Sequence, residues 1–410
     1  MNERLKRVLM IAGFLLITIG IGFLIYRVFF KAAVPGEAPQ LYPAYQGQLP
    51  QAASGTGALG TDTEPGTLNP ATGLPYTEPS TEPGQLDERT RVLNPNVNNF
   101  ISLSGDKNGI RSYNPVDGKF YKISDNGTSV PLSAQTFFNV QDVDWGNKTD
   151  KAVLSYPDGS KIMYDFTSDE QVTLPKNWED FKFAPQDNQI AAKSIGNNES
   201  NRFLVIARPD GSNAELVAEL GQNQDKVHVS WSPNDQTVAY SFTGDPIGFD
   251  RQAIVMVGKH QENFKNLIVE GRGFVPNWSP TGNNLLYSVY NANDDYKPTL
   301  WISGANGDSI NANRRSIQLN TWADKCAWQN ENSIICAVPT SLSIGAGLQR
   351  ELFANVPDNI YRIDLQSGAT VNLGQPAGNP TISSVVLSPD SSALYYNDRS
   401  TASLSRFSLR

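Results

Sequence analysis

Val229-Ser-Trp-Ser-Pro-Asn-Asp-Gln-Thr-Val-Ala-Tyr240 recurs as Pro276-Asn-Trp-Ser-Pro-Thr-Gly-Asn-Asn-Leu-Leu-Tyr287 and again as Val385-Val-Leu-Ser-Pro-Asp-Ser-Ser-Ala-Leu-Tyr-Tyr396. Each copy has an alternating run ending in Trp or Leu, a Ser-Pro step, a polar turn and a second β-rich run. Period-two alternation on both sides of such a turn reads as a hairpin. Weaker copies centre on Trp145, Phe183 and Trp328, and the weakest on Leu103. The key positions Leu103, Trp145, Phe183, Trp231, Trp278, Trp328 and Leu387 are about 38 to 59 residues apart, the repeat length of a four-stranded propeller blade.

Each copy continues into a further β-run closed by a turn signal, as in Phe203-Leu-Val-Ile-Ala-Arg-Pro-Asp-Gly, Ile360-Tyr-Arg-Ile-Asp-Leu-Gln-Ser-Gly and Phe120-Tyr-Lys-Ile-Ser-Asp-Asn-Gly. Asp-Gly and Asn-Gly suit the positive φ angles of tight hairpins, so these runs supply the third and fourth strands. The last copy ends in Leu404-Ser-Arg-Phe-Ser-Leu409 with no fourth strand behind it. The segment near Arg91 to Pro95 is expected to complete that blade, because closing the ring removes exposed sheet edges. The chain is therefore expected to be all-β, a seven-bladed β-propeller. Six blades with a degenerate first repeat is the alternative.

These repeats resemble the TolB-type, WD40-like propeller family, whose units carry a Trp-Ser-Pro-Asp-Gly-like turn followed by a hydrophobic strand. The likeness spans residues 98–410 and is strongest at Trp231 and Trp278. It implies an architecture; unrelated activities share that architecture. The chain departs from TolB itself in having no room for an α/β domain before the propeller, so no TolB partner is carried over.

Ahead of the repeats, Arg4, Lys6 and Arg7 precede an uncharged run from Val8 to Tyr26, which Arg27 and Lys31 close. At about 1.5 Å per residue the run spans about 28 Å as a helix, close to the hydrocarbon thickness of a bilayer. Residues 1–31 are read as a cytoplasmic tip and a single transmembrane helix, with membrane contact through residues 8–26. The flanking positive charges are nearly balanced and favour an internal N-terminus only slightly. A cleaved signal peptide is the rival reading, but the apolar run exceeds the usual signal core and no clear cleavage site follows. Residues 32–90, rich in Pro, Gly, Thr and Glu, bury too little apolar surface to offset chain entropy and read as a disordered tether. The propeller, residues 91–410, is then expected outside the cell membrane.

Composition narrows the function. The formal charge of −8 and the lack of a basic stripe give no footprint for nucleic acid. Two histidines and two cysteines are too few for a His/Cys zinc or iron–sulfur site; the composition leaves an oxygen-ligand calcium site open, but no calcium loop motif makes it specific. No metal and no cofactor is expected. No Gly-x-Ser-x-Gly elbow is present, and no catalytic residues are assigned.

In the innermost strands, Val143, Phe181, Val229, Pro276, Cys326 and Val385 fall on the apolar parity. The opposite parity is polar: Asp142, Asp144, Asp180, Lys182, His228, Ser230, Asn277 and Lys325. If that parity lines the central channel, it forms a ring of mixed charge able to hold a small ligand; satisfying backbone groups and buried water is its ordinary use. Cys326 and Cys336 lie on the two arms of one predicted hairpin, where a facing register brings them within disulfide range; two free buried thiols are the other reading.

The loops between second and third strands project from one face, and those near 193–202, 243–252, 291–298 and 339–358 are long. The last holds Leu348, Arg350, Leu352 and Phe353, an apolar-plus-Arg mixture typical of interfaces, with Phe249, Arg251 and Tyr296 expected nearby. A short helix packed back onto the propeller is the rival reading of that loop. The leading expectation is a non-enzymatic module binding a protein or cell-envelope polymer through this face. The alternative is a glycan-active enzyme using carboxylates at the channel mouth.

Overall fold

The computed structural model describes residues 89–248 and 250–410, together with Leu16, Thr18 and Gly20, which are helical. Apart from those three, the expected membrane segment and the tether up to residue 88 lie outside the described residues, as does Phe249. Among the described residues no helix is long and apolar enough to cross a membrane.

Seven four-stranded antiparallel sheets make up the domain. Their inner strands are Asn99–Leu103, Asp142–Trp145, Trp178–Phe183, Val227–Val229, Arg272–Trp278, Cys326–Asn330 and Ile382–Leu387, which begin blades one to seven. All seven key positions lie on or just after these strands, so the seven-bladed count holds and six is excluded.

The repeat's turn is explained by one serine. In blade four the Ser232 backbone N–H donates to Thr237 O at 2.8 Å, while the Ser232 hydroxyl accepts from Thr237 N at 2.9 Å. Ser279 with Asn284 and Ser388 with Ala393 repeat both bonds. The residue three after each serine sits at positive φ: Asp235 at 62°, Gly282 at 72° and Ser391 at 56°. That left-handed step is costless only for glycine, and Gly282 meets it in the middle copy. Proline after the serine fixes the entry angle of the turn.

Apolar side chains gather between blades. Ala191, Leu204, Ile206 and Val217 of blade three pack with Val227, Val229, Trp231 and Val238 of blade four in one buried cluster. Each blade thus completes its neighbour's core, and no blade is self-sufficient.

The ring closes where the first and last strands of the domain meet. Thr90–Asn94 is the outermost strand of blade seven and pairs antiparallel with Leu404–Ser408, Thr90 facing Phe407 and Arg91 facing Arg406. Arg89 donates to Leu373 O at 2.6 Å and Ala377 N donates to the Thr90 hydroxyl at 3.0 Å, tying the closing strand to blade six as well.

Candidate functional site

The inner strands place the polar parity against neighbouring blades. Lys182 of blade three donates to Asp144 of blade two. Asp180 of blade three accepts the Val229 N–H of blade four at 2.9 Å. Asn277 of blade five donates to Ala323 O and Cys326 O at 2.9 and 2.8 Å and accepts from Trp328 Nε1 at 3.2 Å, all in blade six. Ser230 accepts from Trp278 Nε1 at 3.0 Å across the seam between blades four and five. Lys325 is buried in a pair with Asp358, which also accepts the Ile382 N–H of blade seven at 2.8 Å. His228 stacks on Tyr240 at 5.4 Å between ring centres. Asp142 is exposed.

These environments set the charges. Burial pushes the Asp144 carboxyl up to about 6, against the pull of the Lys182 charge. Burial works against the Lys182 ammonium, but Asp144 outweighs it and the net direction is up. Burial lowers His228 and Lys325 and raises Asp358. Lys182 keeps one side open: half exposed, it lines a cavity of about 340 Å³ with Trp145, Trp231, Pro233 and Pro280 at the short-turn mouth of the ring.

Two further groups bridge seams between blades. Arg111 is buried under Trp145, its guanidinium 4.4 Å from the ring centre, and donates to Thr149 O at 2.7 Å and Asp150 at 3.1 Å. Asp187 accepts the N–H groups of Asn147, Lys148 and Thr149 at 2.6 to 2.8 Å, joining blades two and three. Asp187 was findable, since it occupies the left-handed turn position that Asp235 and Gly282 share. Arg111 reads in sequence like any exposed strand cation.

Cys326 faces Cys336 in the register of blade six, with the sulfurs bonded at 2.12 Å. Among the described residues no cluster of three or more His, Cys, Asp or Glu is arranged to hold a metal ion.

The long-loop face is built differently. The loop after Ser333–Pro339 is pinned by its backbone: Gly345 N donates to Asp295 O at 2.8 Å and Gly347 N to Tyr296 O at 2.7 Å. Gly347 has no room for a side chain, because a Cβ there would lie 2.5 Å from Tyr290. Arg350 opens a single 3-10 turn, Arg350–Phe353, reaches Asp324 at 2.6 Å and lies over the Trp322 ring. Glu351 meets Arg399 of blade seven. While the backbone is held down, Ile344, Leu348 and Leu352 turn outward, 74%, 57% and 73% exposed. Phe353 is half-buried and Arg251 pairs with Glu270 at 3.1 Å.

No protein-family profile matches the chain, and a search of curated proteins finds no match. Solved structures do match in fold. The tricorn protease aligns at TM-score 0.50 and 12% identity over 78% of this chain, which spans only 34% of the protease chain. The Cps50 (Swd1) β-propeller domain of Myceliophteria thermophila aligns at TM-score 0.50 and 12% identity over 78% of this chain and 100% of its own. An oligogalacturonate lyase in complex with manganese aligns at TM-score 0.52 and 12% identity, covering 78% and 93%. At such identity the likeness defines the class by fold alone. The chain is a seven-bladed β-propeller, and its neighbours in fold include a protease, a lyase and the β-propeller domain of Swd1.

Proposed function

We propose that this propeller is a recognition module, displayed outside a membrane by its N-terminal segment, that binds a protein through the long-loop face. The observation that carries the reading is the pinned loop of blade six. Two backbone bonds to blade five and ion pairs to Asp324 and Arg399 fix the loop, yet Ile344, Leu348 and Leu352 remain in water. Holding apolar side chains exposed on an ordered loop has a solvation cost that docking against a partner recovers. The apolar run from Val8 to Tyr26 and the Pro-rich stretch behind it support the display. The test is affinity capture from gently crosslinked host membranes, with full-length protein beside its Leu348→Asp/Leu352→Asp variant. A partner retained only by the parent chain is expected; every partner retained equally by both overturns the reading.

A glycan-active enzyme is the second reading, favoured by Asp142, open to solvent beside an Asp144 held near 6. Turnover on a glycan panel that vanishes in Asp142→Asn would establish it.

A further inference from the structure

Between blades four and five, on the long-loop face, lies a cavity of about 550 Å³ lined by Arg251, Glu270, Asn293, Asp294, Trp301 and Gln318, among others. Its size falls in the ordinary range of ligand sites. Its walls are fixed by bonds within the protein. Glu270 is clamped between two guanidiniums, Arg251 Nε at 3.1 Å and Arg314 Nη2 at 2.8 Å. The buried side chain of Asn291 donates to Glu270 O at 2.7 Å and accepts the N–H groups of Asn293 and Asp294 at 2.9 and 3.2 Å. Gln318 is set in a left-handed conformation, its N–H bonded to the Ser316 hydroxyl at 3.0 Å.

Hydrogen-bonding capacity at this wall and in the layer behind it is not used up. Trp301 Nε1 is buried and has no hydrogen-bond partner, and neither does the hydroxyl of Tyr287, which faces Trp301 on the adjacent strand. Buried polar groups are nearly always paired, so two neighbouring orphans mark a place where the chain alone leaves bonds unmade.

The lining chemistry selects a ligand class. Asp250, Glu270 and Asp294 oppose the single guanidinium of Arg251 among the lining residues, which disfavours an anion. Asn and Gln side chains each offer donors and an acceptor in one plane, and Trp301 supplies an aromatic surface. A ring perimeter of hydroxyls with an apolar C–H face needs that combination. The cavity continues past Gly248 and Arg251 into a second lobe of about 400 Å³ bounded by Phe242 and Phe274, leaving room for more than one ring. The geometry points to an uncharged oligosaccharide as the ligand of this groove. The inference is independent of the protein-docking reading, since none of these side chains belongs to the blade-six ridge.

The experiment is calorimetric and tryptophan-fluorescence titration of the full-length protein with two probes, a tetramer of N-acetylglucosamine and maltotetraose, with sodium phosphate as the anionic control. Saturable binding of either saccharide is expected. Trp301→Phe, which keeps an aromatic face but removes the indole N–H, should weaken it several-fold, and Asn293→Ala/Gln318→Ala about tenfold or more. Leu348→Asp/Leu352→Asp should leave it unchanged. Thermal midpoints of the Asn293 and Gln318 variants should match the parent, because neither side chain has a hydrogen bond to the core. No saturation by either saccharide, saturation by phosphate instead, or equal affinity in Asn293→Ala/Gln318→Ala overturns the assignment.

Discussion

The Lys325 ammonium lies 2.6 and 2.7 Å from the two carboxylate oxygens of Asp358, and both side chains are buried. The same carboxylate receives the Ile382 N–H, so one ion pair joins the 3-10 turn Ala323–Lys325 that leads into the inner strand of blade six, the third strand of that blade and the inner strand of blade seven. Removing one partner of such a pair strands the other charge in the interior. Lys325→Met is therefore expected to cost about 3 to 5 kcal/mol in urea unfolding, and Lys325→Met/Asp358→Asn should recover part of that loss.

The Asp144 carboxyl gives a pH signature of known sign. Its folded value, about 6, stands above the ordinary carboxyl value of 3.8, so the folded state binds the proton more tightly than the unfolded chain. Its contribution is most favourable at low pH and is lost as pH rises from about 4 through about 6, by roughly 3 kcal/mol as an upper figure. His228 works the other way, because its lowered value makes stability fall as pH drops below 6.5. Unfolding free energies at pH 4 and pH 7 for the parent and Asp144→Asn isolate the contribution of this carboxyl. The variant should lose the decline between those pH values, and parallel profiles would refute the assignment.

Two buried tyrosines should respond oppositely to losing a hydroxyl. Tyr113 donates to Phe137 O at 2.6 Å, whereas the Tyr287 hydroxyl has no partner. Tyr113→Phe should cost about 1 kcal/mol and leave a carbonyl short of a donor. Tyr287→Phe should be neutral or stabilising by a few tenths of a kcal/mol to about 1 kcal/mol, since it removes an unmet polar group. Thermal melts of both variants decide this.

The bond between Cys326 and Cys336 closes a loop with a sequence separation of 10. On the chain-entropy estimate its loss costs about 2.5 to 3 kcal/mol. Cys326→Ser/Cys336→Ser should show that loss in denaturant, and reductant should move the parent to the same midpoint while leaving the variant where it is.

Much of this architecture was readable because a turn has local causes. Ser232, Ser279 and Ser388 sit five residues before the N–H their hydroxyls accept, and such a motif shows in any one copy. The disulfide register and the closing strand near Arg91 were likewise legible, one from a hairpin's geometry and the other from a missing fourth strand. The polar parity was less so. Alternation says that Asp144, Lys182 and Asn277 share a face of their strands, but not which blade meets that face, because neighbouring inner strands are some forty or fifty residues apart in sequence. Arg111 and the groove beside Trp301 were invisible for the same reason. Each is assembled from segments that carry no common pattern.

The pairing of Thr90 with Phe407 sets an order on assembly. A chain made from its N-terminus holds Thr90–Asn94 as an unpartnered strand until Leu404–Ser408 has been made, through the synthesis of six complete blades and most of a seventh. Closing so long a loop is entropically slow, and an open edge waiting that long invites pairing with another nascent chain. The ring therefore trades a vulnerable interval during biosynthesis for a finished domain whose first and last strands secure each other.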